Sequence, residues 1–287
     1  MNKWILASRL KTLPAAISPV IVGVSLAIHD GDFHLFTAVM TLLAAVLIQI
    51  GANFANDVYD FLKGSDREDR LGPTRATQSG LISPEDMKKG MWLVFSLAIL
   101  VGFYLAWIGG WPIVWIGLAS IASAIAYTGG PYPLGYHGWG DLFVFLFFGI
   151  IAVSGTYFLQ TGVVSNESIL FGIPLGALST AILIVNNLRD ADTDVKSGKR
   201  TLAVRFGKSF VKIEYIIMMV IAFAIPIYIL QFWNEFSLYI ILFLLPISIR
   251  LTQSLYFETG ESLNFVLIDT AKFLFHFSIL LSIGLIL

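Results

Sequence analysis

The sequence predicts an all-α, polytopic membrane protein with nine transmembrane helices around a central cavity, its N-terminus cytoplasmic and its C-terminus outside. Three observations carry this. Of 287 residues, 57% are hydrophobic and 13% charged, with a mean hydropathy of +0.81, whereas a soluble domain carries about 25% charged residues. Apolar runs long enough to cross a bilayer, roughly 17–25 residues, recur along the whole chain. The basic residues fall almost wholly on alternate connections.

Taken in order, the spans are read at about 12–29, 35–62, 87–108, 112–128, 140–161, 168–190, 211–231, 236–256 and 263–287. Met1–His29 opens with Lys3, Arg9 and Lys11, as a signal peptide does. Leu13–Ile28 nevertheless makes a first span, because apolar segments continue after it. Gly, Pro, Asn and Asp punctuate the breaks: His29–Asp32, Gly109–Pro112, Thr128–Pro131 and Asn234–Glu235. The whole chain, 1–287, is expected to be one transmembrane domain.

Orientation follows from the cations. The N-terminal side receives Lys3, Arg9, Lys11, Lys63, Arg67, Arg70, Arg75, Lys88 and Lys89. It also receives Arg189, Lys196, Lys199, Arg200, Arg205, Lys208 and Lys212, with Arg250 near the same end of the eighth span. The opposite connections hold no Lys or Arg, and only Lys272 sits inside a span. The positive-inside rule places that first side in the cytoplasm of a cell membrane. Two long charged connections lie there, about 61–88 and 189–210. With no cysteine, disulfides and thiolate metal sites are excluded.

The polar residues gather at those two places. In the second span Gln49, Asn53, Asn56 and Asp60 recur at spacings of three and four, on one helical face. Asp57 lies about 100° around the helix from Asn56. Asp66, Glu68 and Asp69 follow Gly64, where the helix is expected to end. The sixth span repeats the design: Asn186 and Asp190 are four apart and Asp194 is four further on, with Asp192 off that face. Arg75-Ala-Thr77 and Arg200-Thr201 echo each other beyond the acids. Glu68, Asp69, Glu85, Asp86, Lys88 and Lys89 read as solvated loop.

Such a pair of acidic helix ends suits a magnesium diphosphate. Mg²⁺ favours octahedral oxygen ligation by a few carboxylates, phosphates and waters. Facing motifs could hold Mg²⁺ ions with a diphosphate between them. Asn56, Arg70, Arg75, Lys199 and Arg200 would meet the phosphate oxygens. A secondary transporter also uses intramembrane acids and internal repeats, but it places them near the bilayer midplane rather than at one face.

At these residues the sequence resembles the UbiA superfamily of intramembrane prenyltransferases. The stretches that carry the resemblance are RLKTLPAAISPVIVG (9–23), NDVYDFLKGSDREDRLGPTRATQSGLI (56–82), YTGGPYPLGYHGWGDLFVFLFFG (127–149) and NNLRDADTDVKSGKRTLAVRFG (186–207). The superfamily pattern N-D-x-x-D-x-x-x-D meets Gly64 at its last acid here, with Asp66 next. That form is most like the 1,4-dihydroxy-2-naphthoate polyprenyltransferase branch. The resemblance implies Mg²⁺-dependent transfer of a polyprenyl group from polyprenyl diphosphate to 1,4-dihydroxy-2-naphthoate, with loss of CO₂ and diphosphate, in menaquinone synthesis. The same architecture serves 4-hydroxybenzoate and homogentisate enzymes. Soluble chain-elongating prenyltransferases, which also use Asp-rich helices, are excluded by the spans.

It further implies catalytic Asp60, Asp190 and Asp194, and a metal set of Asn56, Asp57, Asp60, Asp66, Asn186, Asp190 and Asp194. The partners are the two substrates and membrane lipid, with no nucleic acid. An allylic cation needs a dry cavity with π-faces. Tyr127, Tyr132 and Tyr157 are the candidates, Tyr127 foremost because it precedes a cytoplasmic connection. In the ninth span Asp269, Lys272 and His276 share a face. They read first as a buried intramembrane ion pair, and second as Lys272 meeting the acceptor carboxylate. Gly149, Gly155, Gly172 and Gly176 allow either close helix approach or a lateral opening.

Overall fold

The computed structural model describes residues 2–66, 70–233 and 236–287, with the backbone alone at 231–233 and 236. Arg67 of the charge tally, the loop acids Glu68 and Asp69, and the Asn234–Glu235 break lie outside the described residues. Among the described residues the chain is helical throughout, with no strand. The helices are α1 (Lys3–Ser8), α2 (Leu13–His29), α3 (Leu35–Leu62), α4 (Pro84–Ala126), α5 (Gly140–Phe145), α6 (Ile151–Thr161), α7 (Asn166–Lys196), α8 (Leu202–Phe206), α9 (Lys208–Trp233), α10 (Leu245–Phe257) and α11 (Leu263–Ile286).

Eight helices among the described residues are long and apolar enough to cross a membrane, and the protein is a multi-pass membrane protein. The expected third and fourth spans form one 43-residue run, α4, whose backbone leaves helical geometry at Gly110 (φ 65°, ψ −157°). Only glycine adopts that conformation without strain, and Pro112 follows, so the break has a local cause. The expected eighth span, 236–256, opens as a 3₁₀ stretch, Phe236–Leu244, that leads directly into α10. Positions on α4 outside the cavity stay apolar where exposed, as at Trp107, Trp111 and Trp115.

Packing closes the helices into a ring. α2 touches α3, α6 and α11; α3 packs on α4; α7 packs on α9 and α11. The first and last spans are therefore neighbours, and the ring encloses a cavity of about 910 Å³. The largest buried cluster joins Leu26, Phe171, Leu178, Tyr215, Phe273 and Phe277, behind the cavity on the α7–α9–α11 side.

α5 runs into α6 through a π-helical turn, Leu146–Ile150. There the backbone meets α7 closely. A Cβ on Gly149 would lie 2.5 Å from the Gly172 carbonyl oxygen and the Gly176 Cα, and one on Gly176 would lie 2.5 Å from the Phe145 carbonyl oxygen. These glycines are small because two helices touch backbone to backbone, which is how membrane helices gain dispersion contact without a hydrophobic drive. Gly155 differs, having only a distant Ile116 methyl near it. Gly149→Ala should lower stability by about 2 kcal/mol through overpacking, read as a lower melting midpoint in detergent, while Gly155→Ala should leave it unchanged.

Candidate active site

One face of α3 lines the cavity from Thr41 and Ala45 through Gln49, Asn53 and Asn56 to Asp60. One face of α7 does the same through Ser179, Leu183, Asn186, Asp190 and Asp194. Both faces follow the three-and-four spacing, and both turn polar at the same end of the bundle. α7 extends to Lys196, beyond the expected end of the sixth span, so Asp194 remains helical.

α3 stops at Leu62, and Gly64 takes the left-handed conformation (φ 70°) that ends the helix. This is the position where the superfamily pattern has its last acid. An aspartate there would carry a strained backbone, and the chain instead turns and presents Asp66. Arg75 joins the two acids: its Nη2 lies 3.2 Å from Asp60 Oδ2 and its Nε 3.3 Å from Asp66 Oδ1. Arg70 Nε stands 3.3 Å from the same Asp66 oxygen.

Lys199 ties the halves together, with Nζ 3.3 Å from Asp60 Oδ1 and 3.8 Å from Asp194 Oδ1. Burial pulls its ammonium down, but Asp60 and Asp194 outweigh that and raise it above its ordinary value. Tyr136 completes the cluster. Its hydroxyl donates to Asp60 Oδ1 at 2.9 Å and also bonds Ser65 Oγ. The ammonium groups of Lys63 and Lys199 sit 5.2 and 4.9 Å from its ring centroid. Burial and the Asp60 charge raise the phenol above its ordinary range, so it stays a donor.

On α7, Arg189 grips Asp190 with both prongs, Nε to Oδ1 at 2.8 Å and Nη2 to Oδ2 at 2.6 Å. It also donates to Asn186 Oδ1 (2.8 Å) and to Asn264 Oδ1 of α11 (2.7 Å). Asn264 in turn donates to the Leu71 carbonyl at 2.9 Å, fixing the α3–α4 connection over the site. Asn56 Oδ1 accepts from the Thr128 hydroxyl at 3.0 Å.

The cavity thus brings together Asn56, Asp60, Arg70, Arg75, Tyr127, Asn186, Asp190, Asp194 and Lys199. Other expected residues go elsewhere. Asp57 is buried but faces away, as its position on the helical wheel requires. Its oxygens accept the Ala76 and Thr77 backbone N–H groups at 3.1 and 2.9 Å, so it anchors the connection rather than lining the cavity. Arg200 is exposed, and only its backbone takes part, donating to the Tyr136 carbonyl at 2.8 Å.

Lys272 does pair with Asp269 (2.9 Å), but on the outer face of α11 with both side chains more than half exposed, not buried against a neighbour and not in the cavity. His276 is exposed on the same face. Tyr132 is exposed and stacks on His137, and Tyr157 donates to Asp30 at the other end of the bundle, so neither lines the cavity. Tyr136, Arg189 and Asn264 escape sequence reasoning. Arg189 adjoins the second acidic motif and Tyr136 lies in a quoted stretch, but no spacing rule singles them out, and Asn264 has no sequence signal.

The donor set suits a hard cation. It is all oxygen, and the buried Asp66 Oδ2 has no hydrogen-bond partner. No three His, Cys, Asp or Glu side chains among the described residues converge on one point.

Two outcomes are expected. Asp57→Ala removes two charge-assisted bonds to the 76–77 backbone, each about 1.5–3 kcal/mol, and should speed tryptic cleavage after Arg75 with helix content intact by circular dichroism. Burial and the Asp60 charge push the Asp66 carboxyl up to about 7, against the lowering pull of Arg70, Arg9 and Lys199. Its folded-state value is raised, so its contribution to stability is complete below the ordinary carboxylate range and lost as pH rises through about 7. Melting midpoints of Asp66→Asn across pH 4 to 8 should lack that slope.

A sequence profile described as the UbiA prenyltransferase family matches residues 16–278. The chain is 39% identical over 230 residues to the 1,4-dihydroxy-2-naphthoate octaprenyltransferase of Haemophilus influenzae, covering 77% of this chain and 75% of that one. It is 41% identical over 213 residues to the enzyme of the same name from Escherichia coli, covering 71% and 68%. Among solved structures, a UbiA homolog from Archaeoglobus fulgidus bound to DMAPP and Mg²⁺ superposes with a TM-score of 0.68 at 16% identity, covering 98% and 100% of the two chains. The apo UbiA homolog from Aeropyrum pernix K1 gives 0.71 at 15% identity, covering 95% and 96%. With its paired acidic helix faces at one end of an apolar ring, the chain belongs to the UbiA prenyltransferase family.

Proposed function

We propose that the protein transfers a polyprenyl group from polyprenyl diphosphate to 1,4-dihydroxy-2-naphthoate, releasing diphosphate and CO₂ and giving demethylmenaquinol. The observation that carries this is the cavity, apolar for most of its wall, whose acidic end joins Asp60, Asp190 and Asp194 with Arg75 and Lys199. The identity to relatives that bear this activity in their names supports the acceptor.

Asp60, Asp66, Asp190 and Asp194 would hold Mg²⁺, with Asn56 and Asn186 as neutral oxygen donors. A bound Mg²⁺ would supply the positive charge that a departing diphosphate needs. Arg70, Arg75 and Lys199 exchange their carboxylate partners for phosphate oxygens, and Arg189 keeps Asp190 oriented. Tyr136 holds Asp60 in position through its hydroxyl. Tyr127 and the apolar wall keep water from the allylic carbon while the electron-rich ring approaches it. The isoprenoid tail lies along Phe103, Leu105, Ile113, Phe147 and Ile151, an apolar path lining the same cavity.

We read the membrane topology as nine spans in one domain, residues 1–287. The 43 residues of α4 extend about 65 Å at 1.5 Å per residue, twice the hydrocarbon thickness of about 30 Å, and Gly110 divides them into two spans. The basic residues then put the N-terminus and the site on the cytoplasmic face of the cell membrane, with the C-terminus outside.

The test is incubation of purified protein with Mg²⁺, a polyprenyl diphosphate and a panel of aromatic acids, with products identified by mass. Dihydroxynaphthoate should yield the prenylated, decarboxylated quinol, and a product only from 4-hydroxybenzoate or homogentisate would refute the acceptor. Asp60→Asn and Asp190→Asn should each reduce turnover by at least about 100-fold with helix content intact by circular dichroism.

A further inference from the structure

The polar residues on the outer face of α11 take no part in the cavity chemistry, yet they stand where polarity is costly. Lys272 Nζ pairs with Asp269 Oδ1 at 2.9 Å, and His276 is exposed one turn further on. At 1.5 Å per residue the three lie about 9, 14 and 20 Å from the start of a helix about 36 Å long. Asn264, in the first turn of that helix, bonds the Leu71 carbonyl beside the acidic motifs, which fixes that end at the polar face. His276 therefore lies near the middle of the span. Its imidazole makes no hydrogen bond or ion pair among the described residues. The Asp269–Lys272 pair cancels in charge, but a carboxylate and an ammonium each form several hydrogen bonds and here share one. Lipid tails satisfy none of these groups.

The exposed positions keep a fixed rhythm. Phe265, Asp269, Lys272 and His276 alternate at four and three residues. The same rhythm runs on through half-buried Ile279 to exposed Ile283 and Ile286. That is the a/d repeat of a two-stranded coiled coil, about 3.5 residues, which keeps a stripe facing a neighbouring helix along its whole length. The other sides of α11 are committed. Asn264, Leu267 and Ile268 line the cavity, while Phe273, Phe277 and Leu281 are buried in the core.

We infer that this stripe docks a second copy of the chain, α11 against α11, about a two-fold axis along the membrane normal. Two copies inserted with the same topology run parallel, so each stripe residue lies level with its counterpart. A helical side chain leans toward the helix N-terminus. Each Lys272 ammonium thus falls level with Asp269 on its own helix and with the partner's Asp269, and the four charges alternate. His276 meets the partner's His276, and a neutral imidazole has one donor and one acceptor nitrogen, so two identical rings can bond each other. The stripe is complementary to itself in charge and in hydrogen bonding, and the isoleucines beyond it interlock as apolar knobs. A lipid headgroup would reach Lys272 from the interface but not His276. The surface lies outside the cavity and does not depend on the prenyltransferase reading.

The test uses the absence of cysteine from the chain, which lets one introduced thiol report alone. In native membranes with copper phenanthroline, full-length Ile279→Cys and Ile283→Cys should form a disulfide-linked species of twice the chain mass. They should do so at least about 10-fold faster than Trp107→Cys or Trp111→Cys on the outer face of α4, because a disulfide requires close Cα atoms. On the Ile279→Cys background, Asp269→Lys leaves two bases on the stripe and Lys272→Asp leaves two acids. Either variant alone should cross-link about 10-fold more slowly through like-charge repulsion, with helix content intact by circular dichroism. Co-expressed with different tags, the two should restore the rate as a mixed dimer. The ion pair within each chain is absent from both variants, so restoration reports pairing between chains. Stripe thiols that react no faster than those on α4 overturn the proposal, as does a mixed pair that links no better than either variant alone. A product of any other mass would assign the stripe to a different protein. An unlinked stripe, with anionic lipid lost from purified Lys272→Ala, would assign it to a headgroup. Both refute the second copy.

Discussion

Everything at the polar end of the cavity answers to one requirement, the compensation of the Asp60 carboxylate. It is 2% exposed at the end of a membrane helix, where an unpaired charge costs several kcal/mol. Arg75, Lys199 and Tyr136 each reach it, from three different connections. The folded paths of those connections follow from that convergence. Asp57 anchors the segment that delivers Arg75, the Asn264–Leu71 bond holds it down, and the Arg200 backbone bond to Tyr136 sets the loop that delivers Lys199. The cations that neutralise the acids are also those a diphosphate requires, so the fold presents a prearranged, near-neutral cluster in place of bare carboxylates.

Much of this was legible in the residue order because it is periodic. The α3 and α7 polar faces obey helical spacing, and the same spacing already set Asp57 aside from Asn56. Gly64 announced the end of α3 by its type alone. What escaped was whatever depends on chain segments meeting in space. Arg189 rather than Arg200 reaches the cavity, because helix α7 runs on to Lys196 and leaves Arg200 in the following turn. Lys272 and Asp269 share a helical face, but periodicity cannot say whether that face looks inward. The break at Gly109–Pro112, by contrast, was legible in its residue types, and the α4 backbone leaves helical geometry there, at Gly110.

The cavity divides its labour by depth and by segment. α3 contributes Asp60 at its end and the amides of Asn53 and Gln49 about two and three turns earlier, so one helix lines the cavity with both an acidic and a neutral polar stretch. The first is dressed by loops rich in cations, the second by the turn before the first span, where the Thr12 hydroxyl accepts from both amides. The two are linked, because Arg9 pairs with Asp57 (3.8 Å), which anchors the segment that carries Arg75.

The π-turn between α5 and α6 has a geometric consequence for the apolar wall. Residues 143, 147, 151, 155 and 159 all face the cavity, a repeat of four. In an ideal helix at about 100° per residue, a four-residue repeat drifts by about 40° at each step, and such a row would spiral out of the cavity within a few turns. The wider π-turn at Leu146–Ile150 absorbs part of that excess and realigns the row. The close glycine contact with α7 pins the correction in place. A helix that would otherwise present a corkscrew of side chains becomes a nearly straight rail, the form that suits a long, thin guest lying parallel to it.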